Sequence, residues 1–411
     1  MADWSQLPQE LIEQIALKLD TLEDFVVFAT ICRPWNNALT SLKEHERFPK
    51  LMPWLLLSFN PNRNIHYNLD LFDPCKDKCY RFNLPEAYNR RCWGTSLGWI
   101  LTLGLDLEIH LLNPITKASI RLPPQPLLTP VLTDPDDSDL WKIQLYYIKR
   151  VFVFKSPIDG QLIVFVVHYD DNVLSFVKPG NSSWIPIELQ VPSSEYLRGD
   201  NSSNWNQIIQ LHNVMDITYW NGAFVIVSKF GGFTFLDLNQ IAQQQQPCLV
   251  QDYPLIPLEI SNIENNNEAR IYLIECNSDL LMVLRFKAEF VDSQEDDDDY
   301  SDLIPVDYET INFKVYRHSP GFGMDRGWEE LHDLGDLAIF VGSHSTMCVT
   351  ASSVANCRGN NIYFTDDDYH VCTRRDMGVF DMKTGTIEPY YLNVDDNEFR
   401  QCHPVWFLPR I

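Results

Sequence analysis

The stretch SLGWILTLGLDLEIHLLNPITKASIRLP, residues 96–123, decides the fold class of most of this chain. It contains three short runs, WILTLG, LEIHLLNP and ASIRLP, with Gly, Asn and Pro at the turns between them. Short runs of this kind, bounded by turn residues, are typical of consecutive β-strands. Similar runs continue as QLIVFVVHYDD, VLSFVKPG, AFVIVSKF and GFTFLDLN, and no helical period competes with them. The chain after residue 53 is therefore predicted to be mainly β.

The start of this pattern repeats along the chain. A turn residue precedes a strong strand at five places, separated by 62, 62, 57 and 81 residues: Gly98, Gly160, Gly222, Asp279 and Asn360. A unit of three or four strands repeated around a ring is the signature of a β-propeller, which hides its strand edges by radial repetition. Counting the run from WLLLSF to YRFNL as the first unit predicts six blades.

Two features leave alternatives to six blades open. Residues 188–213 and the insertion VDSQEDDDDYSDLIPVD, residues 291–307, could each hold further strands, so seven blades remain possible. A long β-sandwich or two stacked barrels would also explain many short strands. Of these arrangements, we expect the six-bladed ring.

The first 44 residues differ from the rest because they predict three short helices. Pro8 suits the first helical position, Thr21 with Asp24 resembles a capping box, and Pro34 starts the third helix before Trp35. The first helix carries apolar residues at helical period: Leu11, Ile12, Ile15, Ala16 and Leu19. A segment of about 40 residues rarely stabilises itself, so its surplus apolar surface needs a partner. Periodicity alone leaves open whether that partner is another protein or the rest of this chain.

The residues themselves favour a partner protein. The order Trp4, Leu7-Pro8-x-Glu10-Leu11, Ile15, Leu19 and then Cys32-Arg33-x-Trp35 resembles the F-box, which docks substrate receptors onto the Skp adaptor of a cullin-RING ubiquitin ligase. Asp20-Thr21 stands where many F-boxes carry Pro, and Asn36 where Arg is commoner. The resemblance implies that Skp is contacted by the exposed apolar faces of six residues: Leu7, Pro8, Leu11, Ile12, Ile15 and Trp35.

The β-rich part also resembles a known family. The stretches RRCWGTSLGWILTLGLDLEIHLLNPITKASIRLP, ITYWNGAFVIV, NIYFTDDD and DMGVFDMKTGTIEPYY are similar to the propeller of the plant KIB-type F-box proteins. We therefore expect an F-box at 1–44, a linker at 45–53 and a substrate-recognition propeller at 54–411. The resemblance implies a non-catalytic receptor subunit of an SCF-type ubiquitin ligase, which recruits a target protein for ubiquitination. The alternative is a carbohydrate-binding or glycosidase-like propeller with an F-box-like helical cap.

Composition narrows the partners further. The 411 residues carry a formal charge of −24, which argues against binding nucleic acid through its phosphates. The sequence has no apolar run long enough to span a membrane, and acidic residues stand at the N-terminus instead of a basic signal head. We expect a protein of the cytoplasm or nucleus whose partners are proteins. In that reducing setting, the ten scattered cysteines are interpreted as small buried hydrophobes.

Candidate catalytic and metal sites are weak. Asp366, Asp367 and Asp368 could supply a general acid and base, but we expect a solvated turn there, and we expect His168 and His370 to be surface residues. The acidic run 295–299 lacks the D-x-D-x-D-G loop of a calcium site. The pair Cys75 and Cys79 has His66 as its one nearby candidate ligand, too few for zinc. No enzyme activity, cofactor or metal is predicted.

The target-binding residues are predicted in the last repeat. Tyr369, His370, Arg374 and Arg375 fall between the strands of IYFT and MGVFDM, where the Arg pair forms a local basic spot in an acidic protein. Aromatic and Arg side chains are common anchors of protein interfaces. The alternative is an ordinary solvated hairpin tip.

Overall fold

The computed structural model describes most of the helices and strands and leaves several connections undescribed. The described residues are 3–19, 22–44, 52–57, 68–74, 76, 78–124, 147–168, 174–187, 189–190, 208–209, 214–228, 233–237, 249–253, 269–290, 307–318, 328–343, 345–354, 356–367, 376–389 and 404–409. The predicted acidic insertion lies outside them, apart from Asp307.

Three helices form the N-terminal segment, as predicted: α1 at Gln9–Ala16, α2 at Leu22–Ile31 and α3 at Arg33–Glu44. A short 3-10 turn, Trp4–Gln6, precedes them, and the Asp3 carboxylate accepts a hydrogen bond from the backbone N–H of Ser5. Pro8 has an extended ψ of 143° and stands just before α1 instead of in its first turn. The three helices end at Glu44, and the first strand begins at Trp54. The proposed boundaries at 44 and 53 stay a prediction.

The remaining chain forms six sheets of four or five strands in the described residues, which confirms the six-bladed ring. The strands of the first three blades are β1 (Trp54–Leu57), β2 (Asn68–Asp73) and β3 (Lys78–Asn83); β4 (Arg90–Gly94), β5 (Ile100–Gly104), β6 (Ile109–Leu112) and β7 (Ser119–Leu122); and β8 (Ile148–Lys155), β9 (Leu162–His168), β10 (Leu174–Val177) and β11 (Ile185–Pro186).

A two-stranded ribbon separates blades 3 and 4. It pairs β12 (Leu189–Gln190) with β13 (Ile208–Ile209). The strands of the last three blades are β14 (Val214–Trp220), β15 (Ala223–Ser228), β16 (Phe233–Asp237) and β17 (Leu249–Tyr253); β18 (Ala269–Cys276), β19 (Asp279–Phe290), β20 (Asp307–His318) and β21 (Glu329–Leu331); and β22 (Leu337–Val341), β23 (Met347–Thr350), β24 (Asn361–Phe364), β25 (Gly378–Asp381) and β26 (Thr386–Pro389). The final strand, β27 (Val405–Phe407), joins blade 1.

The turn marks of the sequence fall where a propeller needs them. Gly98, Gly160 and Gly222 have positive φ angles of 76°, 69° and 88° in the turns between the first two strands of blades 2, 3 and 4. In blade 5 the same turn uses Asn277 and Ser278, also at positive φ. Glycine and asparagine tolerate this left-handed backbone, so a tight turn that reverses the chain selects them.

The C-terminal strand closes the ring. β27 pairs antiparallel with β1, so that Trp54 lies opposite Phe407 and Leu55 opposite Trp406. The Trp406 indole N–H donates to the carbonyl of Val341 (3.0 Å), and its ring contacts Phe340 edge-on at 5.0 Å between centroids. Blade 1 is therefore built from both ends of the propeller sequence and rests directly on blade 6.

Blade 6 departs from the simple meander of the other five. Its order is β23-β22-β24-β25-β26, and β22 pairs with β24 in parallel, whereas the pairings within the other blades are antiparallel. β23 is thus an additional strand on the inner side of β22, in contact with β18 of blade 5. The repeat pattern of the sequence does not predict this strand, because the mark at Asn360 identifies β24 alone.

The cysteines are not all small buried hydrophobes. Cys276 and Cys348 form a disulfide, Cys79 is exposed, and Cys92 is buried. The interpretation of a uniformly buried, reduced set is therefore wrong for the first three of these residues. The disulfide joins β18 to the additional strand β23.

The two ends of the ring carry different connections. We call the end at which Trp54 begins β1 the entry end, because the chain arrives there from the helices. Tight turns such as 95–99 and 221–222 join strands at this end. At the opposite end, which we call the far end, the described strands of the blades are joined by six connections longer than about twelve residues, one of which carries the β12–β13 ribbon: 123–147, 187–213, 254–268, 291–306, 365–377 and 390–404.

Replacing Trp406 by Ala tests ring closure. The change removes a large buried side chain, its contact with Phe340 and its hydrogen bond to Val341. We expect unfolding in urea to show a loss of about 3–5 kcal/mol. Ile158→Ala is the control: Ile158 is 56% exposed in a tight turn, and its loss should cost less than about 0.5 kcal/mol. Equal unfolding midpoints for the two variants would contradict the closure role of Trp406.

Candidate interaction surfaces

Exposed large apolar side chains are concentrated on the N-terminal helices. Nine are exposed among the described residues, and six of these stand in the first 31 positions: Trp4, Leu11, Ile15, Leu17, Val27 and Ile31. The other three, Leu105, Ile158 and Ile311, are spread over the ring. Exposed apolar groups gathered on one small segment mark an interaction surface.

Helix α1 divides its apolar residues between two faces. Leu11 and Ile15 are 45% and 36% exposed, whereas Ile12 and Ala16 are fully buried. Each pair is separated by four residues and shares a face, and the two pairs are rotated by about 100° because they differ by one position. The prediction that Ile12 is an exposed docking residue is therefore wrong, since its side chain belongs to the core of the helices.

The other predicted docking residues differ in their exposure. Pro8 is exposed, while Leu7 and Trp35 are half-buried. The Trp35 indole N–H donates to the backbone carbonyl of Trp4 (3.2 Å), and its ring lies 4.4 Å from that of Phe28. Trp35 thus holds α3 against α2 and the N-terminal turn, and part of its surface remains available to a partner.

The helices also pack on the ring. Ile12 and Phe25 belong to the same apolar cluster as Trp54 of β1 and Ile100 of β5. The rest of this chain therefore covers one face of the helical segment, and another face stays exposed.

The predicted target-binding residues Tyr369, His370, Arg374 and Arg375 lie outside the described residues. The structure describes both ends of their connection, Asp367 and Asp376, and these ends are held by a buried cluster of charges. The expectation of a solvated turn at Asp366 and Asp367 is wrong, because both side chains are buried. Asp368 and His370 are not described.

Arg285 is the centre of this cluster. Its guanidinium donates to the Thr310 hydroxyl (2.7 Å), to the carbonyl of Thr365 (2.8 Å) and to the Asp376 carboxylate (2.9 Å). It also forms an ion pair with Asp367 at 3.4 Å. A single side chain of β19 therefore binds both ends of the connection 365–377.

Asp367 also forms ion pairs with two further cations of blade 5, Lys287 and Arg270. The Lys287 ammonium lies 2.5 Å from its Oδ1, the Arg270 guanidinium 3.1 Å from its Oδ2, and the Tyr272 hydroxyl donates to the same carboxylate. Burial would raise the pKa of Asp367, but Lys287, Arg285 and Arg270 outweigh it and hold the pKa well below its usual range. Asp367 is therefore a charged anchor. It is not a general acid.

The sequence carries a signal for this cluster in the spacing of its polar residues. Arg270 and Tyr272, Arg285 and Lys287, and Tyr308 and Thr310 are each separated by two positions on neighbouring strands. Side chains two apart share a face of a strand, so three adjacent strands place six polar groups on one face. Polar residues that alternate with apolar ones in otherwise buried strands therefore indicate a buried polar cluster.

A small cavity lies where residues of blades 2 to 6 meet. Its volume is about 50 Å³, and Asp216 lines it together with Thr95, Phe152, Leu273 and Thr346. The Asp216 carboxylate accepts hydrogen bonds from the Leu273 N–H (2.8 Å) and the Thr346 hydroxyl (2.8 Å), and burial raises its pKa to about 6. The cavity has room for a few waters but is far smaller than the roughly 300–1,000 Å³ of a typical ligand pocket. It offers no support for a sugar site.

His168 is a further correction. It was expected at the surface, but it is buried at the end of β9, with its ring 5.0 Å from that of Tyr147. Burial lowers the pKa of His168 to about 4, so that the ring is neutral at physiological pH. This environment suits a core residue and no acid–base role.

Neither a metal-binding cluster nor a membrane-spanning helix is present among the described residues. They contain no group of three or more His, Cys, Asp and Glu side chains placed to hold a metal ion. Cys75, His66 and the acidic run 295–299 are not among them. The described helices include none that is long and apolar enough to cross a membrane.

Replacing Arg285 by Met tests the buried cluster. The variant leaves Asp367 and Asp376 with fewer partners in a dry environment, so we expect a loss of about 3–5 kcal/mol in urea unfolding. The matched control is Arg81→Met, which breaks an ion pair with Asp70 at 2.9 Å on the surface, where the Arg side chain is 62% exposed. That change should cost less than about 1 kcal/mol. Similar losses for both variants would show that burial does not distinguish the two pairs.

Comparisons with known proteins agree with this architecture. An F-box domain model matches residues 4–47, and a KIB1-4 beta-propeller model matches residues 70–381. The F-box protein SKIP23 of Arabidopsis thaliana is 22% identical, over 94% of this chain and 91% of that protein. The putative F-box protein At5g55150 of the same plant is 23% identical, over 99% and 97%.

Among solved structures, the N-terminal domain of Nup159 matches with a TM-score of 0.32 and 10% identity, over 86% of this chain and 79% of that one. That score is too low to carry an argument. The family models do carry one, because the propeller model alone spans about three quarters of the residues and the F-box match lies directly before it. The chain therefore belongs to the plant F-box proteins with a KIB1-4 β-propeller.

Proposed function

We propose that this protein is the substrate-recognition subunit of an SCF-type ubiquitin ligase. Its helices bind the Skp adaptor, and through it cullin, while the propeller holds a target protein. The observation that carries the proposal is the concentration of exposed apolar side chains on the helical segment that the F-box model matches. The receptor contributes proximity, which can supply a large part of a barrier reduction, and the chemistry belongs to other subunits. The cytoplasm or nucleus is the proposed location.

The proposed adaptor contact is the exposed side of the helical segment. Pro8, Leu11 and Ile15 lie on it, and the half-buried Leu7 and Trp35 border it. Ile12 supports this surface from below, because its burial fixes the rotation of α1 about its axis. Leu7 also packs against the apolar cluster of the helices, so helicity of the Leu7 and Pro8 variant is compared with that of the unchanged protein by circular dichroism.

The proposed target contact is at the far end of the ring. The helices enter β1 at the opposite end, and the long connections, including 365–377 with Arg374 and Arg375, join strands at the far end. A receptor that separates adaptor and target in this way leaves both accessible at once. The Arg285 cluster supports the proposal because it fixes both ends of the connection 365–377.

Changing Leu7 and Pro8 together to Ala tests the adaptor contact. Large apolar anchors cost about 2 kcal/mol each on truncation, so the pair should weaken Skp binding by roughly a thousandfold. Co-purification with Skp should be lost, while the tryptophan fluorescence and urea unfolding of the ring stay unchanged.

The matched control for this pair is Leu105→Ala with Ile158→Ala. These are also exposed apolar residues, but they stand on the ring. The control should retain Skp fully. Skp binding that survives in the Leu7 and Pro8 variant would refute the adaptor assignment.

Changing Arg374 and Arg375 to Glu tests the target contact. Charge reversal at an interface replaces attraction by repulsion, so proteins that depend on this connection should disappear from the captured set while Skp is retained. The measurement is quantitative mass spectrometry of captured proteins under proteasome inhibition. Arg121→Glu is the control, because Arg121 is also an exposed cation of the ring, 2.5 Å from Glu108. An unchanged set of captured proteins would remove this connection from the target site.

A further inference from the structure

Cys276 and Cys348 lie in the inner strands of two neighbouring blades. Cys276 is the last residue of β18 in blade 5, and Cys348 is the second residue of β23 in blade 6. Their Cα atoms are 6.1 Å apart, a usual separation for a disulfide, and the two residues are bonded to each other. The bond therefore ties the additional strand β23 to the adjacent blade.

The same two segments share a second, non-covalent tie. Leu273, three residues before Cys276, and Thr346, two residues before Cys348, both donate to one carboxylate oxygen of Asp216 at 2.8 Å. Asp216 comes from blade 4, so its carboxylate holds blades 5 and 6 together from a third blade. β23 stands at the inner edge of its sheet, where β22 is its neighbour in the strand order. Its position is thus held by the ladder to β22, the Asp216 carboxylate and the disulfide, together with the buried side chains of Met347 and Val349.

The two cysteine residues fall in different burial classes. Cys276 is 8% exposed, whereas Cys348 is only half-buried. A small thiol or disulfide can therefore approach Cys348 first, while Cys276 is positioned to resolve the mixed product. In the reducing compartment expected for a ubiquitin ligase, protein disulfides are usually transient and redox-sensing.

We propose that the pair Cys276–Cys348 is a redox-controlled tie that sets how firmly β23 is held to blade 5. Oxidation uses a low-molecular-weight disulfide such as glutathione disulfide. The Cys348 thiolate attacks one of its sulfurs and releases one glutathione thiolate, and the Cys276 thiolate then attacks the Cys348 sulfur and releases the second. The protein loses two electrons and two thiol protons, and one glutathione disulfide becomes two glutathione molecules. Excess glutathione reverses both steps.

The redox state of the disulfide also affects the contact between blades 5 and 6. Blade 6 supplies Asp367 and Asp376, the two ends of the connection 365–377, and blade 5 supplies the cations that bind them. A covalent link between these blades restricts the unfolded chain and opposes their separation. The tie between the two strands stands on the positions of the cysteines alone, whereas its redox control rests on the reducing compartment of the proposed function.

The first test is a redox titration of the full chain. The protein is equilibrated in glutathione buffers of graded potential, its free thiols are blocked with iodoacetamide, and the peptide that joins Cys276 to Cys348 is measured by mass spectrometry. We expect this peptide to rise and fall reversibly through one two-electron transition, while exposed Cys79 stays alkylated in the reducing buffers. A peptide that is absent in the most oxidising buffer, or that persists unchanged in excess dithiothreitol, would overturn the proposal.

The second test asks whether the disulfide stabilises the folded protein against urea. Urea unfolding of the oxidised protein should have a midpoint about 1 M higher than that of the reduced protein. Thr346→Val removes the hydroxyl that donates to Asp216 and should lower the midpoint more in the reduced protein than in the oxidised one. Cys79→Ser, at an exposed position of blade 1, is the control and should leave the redox difference intact. Identical midpoints in the two redox states would refute the role of the disulfide, and this comparison needs no variant to fold.

Discussion

The pairing of β27 with β1 is the interaction on which the rest of the ring depends. Without β27, strand β1 would expose its unpaired N–H and C=O groups as a free sheet edge in blade 1, and no strand would link the end of the chain to the start of the ring. Because the last strand completes the first blade, residues about 350 positions apart become neighbours, as Trp54 and Phe407 do. Trp406 strengthens the joint by contacting Phe340 and donating to Val341, so blades 1 and 6 are held by side chains as well as by the ladder. The backbone N–H of Leu408 then reaches the carbonyl of Thr95 in blade 2, which extends the joint to a third blade.

Other junctions between blades use polar groups that are costly to bury. An ion pair in a dry interior gains little net stability, because each charge loses its hydration. Arg285 and Asp367 nevertheless meet there, supported by Lys287 and Arg270. Such a cluster provides specificity instead, because its hydrogen bonds are directional. They can all form only when the strands and the ends of the connection 365–377 have one particular arrangement. A junction of apolar side chains alone would tolerate small shifts between blades, since dispersion contacts have weak angular preference.

The features predicted correctly from sequence are those with local causes. Gly98, Gly160 and Gly222 mark turns because their backbone conformation is set within a few residues. The errors concern partners far away along the chain. Asp367 looks like a solvated turn residue until blade 5 supplies Lys287, which is 80 positions earlier. β23 escapes prediction because a fifth strand in one blade breaks the repeat that identified the others. Ile12 was assigned to the wrong face because one apolar stripe is divided into a buried and an exposed part, and its period alone does not say where the division falls.

The division of α1 into a buried and an exposed apolar face explains how so small a helical segment can be stable and still expose apolar side chains. Ile12 and Ala16 contribute to a core that continues into Trp54 and Ile100, so the ring supplies the buried area that about 40 residues lack. Leu11 and Ile15 can then remain exposed without unfolding the helix that carries them. Residues of blades 1 and 2 therefore support the helical surface, and the long connections lie at the far end.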